Sequence, residues 1–187
     1  KMFYSKSVSR DYVLSSCYNV YKASFSRYDN SSSLLSRAAF SRRIRSLHPS
    51  TEFYAVFDIS TDLPVAFSEN FLNSSVCLFN SIWFDPTSLQ KYSSYLLFYD
   101  MTNYYLDMPD IKYVSDGARN IYHPTNIHEF LVSKFFYRKL YLSMKIIYFP
   151  GFFTFMRLLA FIFPFLKDNK RLSVFFLHHS LQSYTSI

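Results

Sequence analysis

Hydrophobic and polar positions follow two different periods along the chain, and the changes of period divide it into elements. Residues 2–5 read as a short first strand. Over residues 9–26, Val13, Leu14, Cys17, Tyr21 and Phe25 recur at helical spacing, and Ser9 ahead of Arg10 and Asp11 supplies an N-cap oxygen. The run Asp29 to Ser33 breaks that pattern. A second helix is predicted from about Leu34 to Leu47, ending before His48-Pro49 because proline disfavours helical backbone at the preceding residue. Residues 52–59 then alternate, with Phe53, Ala55, Phe57 and Ile59 on one face, and strands near 64–72 and 75–84 follow after Ser60-Thr61-Asp62 and Asn73-Ser74. These three read as an antiparallel meander.

The second half alternates helix and strand. Asp85-Pro86-Thr87-Ser88 offers a proline for a first turn and capping oxygens, and predicts a helix over 88–106 with Tyr92, Tyr95, Leu96 and Tyr99 on one stripe and Leu97, Phe98 and Tyr105 on others. Such a helix, apolar nearly all round, is expected to be buried on more than one side. A short strand is predicted at 111–115, an irregular segment from Asp116 to Thr125, a helix at 126–138 and a strand at 140–149. Beyond 151 the chain reads as a helical tail in two pieces. The order β-α-α-β-β-β-α-β-α-β gives a mixed α/β sheet with helices on both faces, an antiparallel meander followed by βαβαβ. The domain reading is one body over 1–150 with an apolar helical extension over 151–187.

Composition removes several classes of function. The 187 residues include 22 Phe and 17 Tyr but two glycines, Gly117 and Gly151, where average usage would give roughly a dozen. No glycine-rich dinucleotide or nucleotide loop can be written on this chain. Cys17 and Cys77 make no disulfide framework, and the start KMFYSKSVSRDY has no apolar core of a signal peptide, so a cytoplasmic location is expected. Residues 146–166 are apolar over about the length of a membrane span, but Pro150, Gly151 and Pro164 interrupt them and Arg157 sits near their centre. The stretch reads as a strand end followed by a short buried or interfacial helix, with peripheral membrane contact through 151–166.

Charge is uneven. Residues 1–50 carry nine Lys or Arg against Asp11 and Asp29, whereas residues 51–187 balance eleven against eleven, so the net +7 sits in the first fifty residues and is densest at Arg37, Arg42, Arg43 and Arg45. Such a run is either a solvated helix face or a patch for phosphates of nucleic acid, lipid or cofactor.

Two stretches carry a family likeness. Asn126-Ile127-His128-Glu129-Phe130-Leu131 followed by Lys134-Phe135-Phe136-Tyr137-Arg138-Lys139 looks like the penultimate helix of the GNAT superfamily of N-acetyltransferases, where an Asn opens the helix and a Lys-x-Gly-Phe-Arg stretch closes it. Tyr113 to Asn120, with His123 and Thr125-Asn126, resembles an uncharacterised bacterial branch of GNAT-like proteins. The likeness covers residues 1–150. It implies an acyltransferase that uses acetyl-CoA or another acyl-CoA and passes the acyl group to a small-molecule or peptide amine. The family's glycine-rich pyrophosphate loop is replaced here by Pro86 to Ser94, Phe136 stands where its closing glycine is expected, and Ser133 stands where a Tyr often serves as general acid.

The residues themselves offer substitutes. A helix start presents free N–H groups that bind anions without glycine, so Thr87, Ser88, Gln90, Lys91, Tyr92 and Ser93, with Asn126, are the candidate cofactor contacts; simple N-capping is the plain alternative. Acyl transfer needs a base, and His123 is the first candidate because imidazole titrates near neutral pH; Glu69 and Ser133 complete the catalytic set. Asp116, Arg119 and His128 are the candidate substrate contacts. No recognised metal spacing is present. Two other readings stay open: a non-catalytic GNAT-fold binding protein, and an aminoacyl-transferring enzyme whose basic patch holds tRNA.

Overall fold

The computed structural model describes residues 2–27, 34–117 and 127–139. The chain forms two compact units, Lys1–Arg138 and Lys139–Ile187, and the description below is of the first. The strand expected at 140–149 and the tail lie outside the described residues, as do Arg119, His123 and Asn126.

Strand β1 (Phe3–Val8) leads into α1 (Arg10–Ser16) and α2 (Tyr18–Ser24), then a single 3-10 turn (Phe25–Arg27). The one helix expected over 9–26 is therefore two. The Ser15 hydroxyl donates to the Tyr12 carbonyl at 3.0 Å, a competition with the helical ladder that bends helices, and the break follows at Cys17. Helix α3 (Arg37–Ser46) starts at Ser36, whose hydroxyl accepts the Ala39 N–H. Strands β2 (Thr51–Asp58), β3 (Pro64–Asn73) and β4 (Val76–Phe84) form the expected meander.

The long helix also divides. Asp85 caps a short α4 (Pro86–Leu89), and α5 (Ser93–Leu106) begins only after Gln90-Lys91-Tyr92. Strand β5 (Tyr113–Ser115) and α6 (Ile127–Phe135) follow. Helix α6 stops at Phe136, which takes a left-handed backbone (φ 58°) while the next N–H, of Tyr137, bonds back to the Leu131 carbonyl at 3.3 Å. Tyr92, ahead of α5, is left-handed as well (φ 65°). Both are conformations that glycine adopts freely and that cost an L-residue roughly 1–2 kcal/mol.

Among the described residues the strands form one sheet in the order β1-β2-β3-β4-β5, antiparallel except for the last pair. Helices cover both faces, so β2 is buried on both. Phe53, Ala55 and Phe57 join Phe67 of β3 in a core with Val13, Cys17, Val20, Tyr21, Phe40 and Ile44 of α1–α3. Tyr54 and Val56 face the other way, into a core with Leu97, Phe98, Met101 and Tyr105 of α5 and Leu131 of α6. Each such side chain contributes about 1.5–3 kcal/mol on burial. Helix α5 packs on the sheet and, through Phe98, on Phe130 and Phe135 of α6, while Tyr92 ahead of it and Tyr95 and Tyr99 along it are exposed.

Candidate functional site

Strand pairing creates an opening at β4. It pairs with β5 over three rungs, Val76–Tyr113, Cys77–Val114 and Leu78–Ser115, and from Phe79 to Phe84 it has no neighbour on that edge among the described residues. On its other edge the register with β3 slips between Glu69 and Asn70: Glu69 faces Ser81 and Asn70 faces Phe79, leaving Asn80 as the extra residue of a bulge. A bulge bends its strand and re-aims side chains. The chain leaves the open end of β4 at Phe84 and starts α5 nine residues later, with no side chain capping that helix. The carboxyl ends of parallel strands and the unpaired amides of a helix start are both places where phosphorylated ligands bind.

Solved structures of low sequence identity share the overall fold. A possible acetyltransferase from Clostridium difficile 630 matches with a TM-score of 0.58 at 12% identity, covering 80% of this chain and 99% of that one. An aminoglycoside acetyltransferase from an uncultured soil metagenomic sample matches at 0.54 and 11% identity, covering 80% and 100%. A glucosamine-6-phosphate N-acetyltransferase from Arabidopsis thaliana matches at 0.52 and 8% identity, again covering 80% and 100%. The fold is that of the GNAT acetyltransferases. No family model matches the sequence, and no curated protein matches it.

Within the GNAT frame, the residues expected to hold phosphate separate into two groups. The Ser88 and Ser93 hydroxyls are buried and bond each other at 2.8 Å, and Ser88 also donates to the Asp85 carbonyl. Thr87 donates to Asp85 Oδ1 at 2.6 Å. Ser88 and Ser93 are thereby committed to shaping the turn, away from the direct ligand contact expected of them, whereas Thr87 stays exposed. Gln90, Lys91 and Tyr92 are exposed at the same turn. Tyr92, 70% exposed, packs edge-on to Tyr95 at 5.7 Å and does not fill the turn. With Tyr95, Leu96, Tyr99, Lys134 and Phe135 it lines an open groove of about 510 Å³ between α5 and α6.

Glu69 is not placed as a base. It lies on the α1–α3 face of β3, fully buried, with one oxygen bonded by Arg43 Nη1 and the other by Nη2 at 2.6 Å. The pairing raises the already high pKa of Arg43, and the guanidinium also covers the Trp83 ring, 5.3 Å from its centroid. A carboxylate paired through both oxygens with a guanidinium and closed off from solvent is out of reach of a substrate proton. Ser133 is exposed on α6 and donates back to the Phe130 carbonyl at 3.3 Å.

Asp116 and His128 are brought together. Oδ2 of Asp116 lies 3.4 Å from Nε2 of His128, and burial pushes the Asp116 carboxyl up to about 6 while His128 draws it down. Beside them is an aromatic of the family-like stretch for which sequence reasoning supplied no role at the site. Tyr137 shares a 2.7 Å hydrogen bond with the Thr102 hydroxyl of α5, and burial raises its phenol to about 12. Among the described residues no three His, Cys, Asp or Glu side chains gather as a metal site, and no helix is long and apolar enough to cross a membrane.

Proposed function

We propose that the protein is an acyl-CoA-dependent acyltransferase that transfers an acyl group to an amine, in the manner of the N-acetyltransferases whose fold it has. One observation carries the reading: the β4–β5 pairing ends at Leu78–Ser115, so that among the described residues the β4 edge from Phe79 onward has no paired strand, and the chain runs from that end of β4 into the uncapped start of α5. The residues present fit the cofactor. The first-turn amides of α5, with Lys91 and Gln90, would take the diphosphate, since helix starts bind anions through their N–H groups. The free β4 edge would take the amides of the pantetheine arm as a paired strand takes a neighbour's. The tyrosines and Lys134 of the α5–α6 groove would flank the nucleotide end.

Bound acyl-CoA supplies a thioester carbonyl and a thiol leaving group. The chain's own part is then to fix that carbonyl against the bulge at Asn80, to exclude water with the two apolar cores that flank the sheet, and to move one proton. The acceptor is expected to be a small-molecule or peptide amine.

A thermal-shift titration with acetyl-CoA and free CoA tests this. Ligand at one hundred times its Kd adds about 2.7 kcal/mol to stability, a rise of several degrees in Tm. No shift at millimolar ligand would leave the fold as a binding scaffold without its donor.

A further inference from the structure

Asp116 is the first residue past β5, and the last rung joining β4 to β5 is Leu78–Ser115, so its carboxylate stands where the two strands part. The side chain is 15% exposed, and Oδ2 has no hydrogen-bond partner although His128 Nε2 is 3.4 Å away. The contact is an ion-pair distance without hydrogen-bond alignment. A buried carboxylate oxygen left in this state costs free energy unless a proton or a third group reaches it.

The surrounding groups narrow what it can do. His128, on the first turn of α6, is 30% exposed and is the titratable side chain that faces Asp116 among the described residues. Tyr137 feels both Asp116 and Cys77 of β4, and burial holds this phenol and this thiol in their neutral forms at pH 7. The Tyr137 hydroxyl is already engaged with Thr102 of α5. On the other side of Asp116, Ser115 Oγ accepts the Gly117 N–H as the backbone turns through φ 78°. Because Nε2 faces the carboxylate, Nδ1 is the imidazole nitrogen left to accept a proton from elsewhere.

We propose that His128 and Asp116 are the proton-handling pair of the cleft, with His128 taking the proton of the attacking amine and Asp116 orienting the imidazole as a positioning residue. This rests on the acyl-transfer reading above. As the amine nitrogen bonds to the acyl carbon, its proton goes to Nδ1 of His128. When the carbon–sulfur bond breaks, the proton passes to the departing sulfur, giving an amide and a free thiol and returning His128 to its starting form.

The test uses the full chain with labelled histidine and aspartate side chains, and coenzyme A as the probe. CoA should move the ring resonances of His128, identified by their loss in His128→Gln, and leave those of His48 on the α3–β2 loop in place. The Asp116 carboxyl should titrate near 6 in the unmodified chain, and His128→Gln should move its midpoint upward by roughly one pH unit. If calorimetry shows CoA bound while the His128 signals stay fixed and the Asp116 midpoint does not move, the pair is structural and the proposal falls, with acyl transfer still standing. If CoA does not bind, the acyl-transfer reading falls and the pair goes with it. Should His128→Gln not fold, His128→Asn serves for the assignment and for the Asp116 midpoint.

Discussion

The two faces of the sheet treat their buried polar atoms differently. On the α1–α3 face, Glu69 is fully buried and both of its oxygens are bonded by Arg43. On the α5–α6 face, Glu52 Oε2, Asn70 Oδ1 and Asp116 Oδ2 are buried without a hydrogen-bond partner, and no such side-chain atom occurs on the other face among the described residues. Glu52 and Asn70 are cross-strand neighbours grouped with Ser68 and Tyr105, and burial raises the Glu52 carboxyl. One face is finished as structure. The other keeps acceptors in reserve, and it is the face that borders the opening between β4 and β5. Unmet hydrogen-bonding capacity next to a cleft is where protons and ligands gain most.

Breaking the finished face should have the largest effect. Arg43→Met leaves the Glu69 carboxylate buried and alone, which costs about 3–5 kcal/mol in denaturant unfolding. Converting both partners, Arg43→Met with Glu69→Leu, should recover most of that loss, because two apolar groups need no pairing. If the double variant were as unstable as the single one, the pair would be serving something other than charge compensation.

The unfinished face predicts the opposite sign. The Asp116 carboxyl sits near 6 in the folded chain against an ordinary value of 3.8, so the folded state holds its proton more tightly than the unfolded state does. Stability from this group is therefore present at low pH and is lost as pH rises from about 4 through 6. Asp116→Asn should stabilise the protein at pH 7, by an amount on the order of 1–3 kcal/mol, and change little at pH 4. Unfolding curves at the two pH values check it. Equal effects at both would mean that the buried charge is not what Asp116 costs the fold.

The smallest effect sharpens the account of the missing glycines. Phe136 is 88% exposed and left-handed, so Phe136→Gly removes strain and little packing, and should raise stability by about 0.5–1 kcal/mol. Tyr92→Gly relieves the same strain but gives up the contact with Tyr95, so its gain in Tm should be the smaller of the two.

These two residues also mark the limit of what the sequence discloses. Period-two alternation located β2, and capping chemistry located Ser9 and Asp85, because those signals are local. The break between α4 and α5 carries no glycine or proline, and its signal is lost when Tyr92 takes the conformation glycine would announce. Glu69 read as a base because nothing within a few residues shows that Arg43, from another element, binds it. The Asp116–His128 pair lay within a stretch already chosen as the site, but its geometry depends on where β5 ends and α6 begins. The serines of the 87–94 turn were counted as ligands by their chemistry. Only packing reveals that Ser88 and Ser93 face each other.

The most direct measurement of the central claim is backbone hydrogen exchange with and without CoA. If the cleft holds the cofactor, CoA slows exchange at the β4 edge from Phe79 to Phe84 and at the start of α5, Ser93 to Tyr95, while the amides of β1 at the far edge of the sheet keep their rates. Bound CoA that left the β4 and α5 amides unprotected, or protected the β1 edge instead, would contradict it.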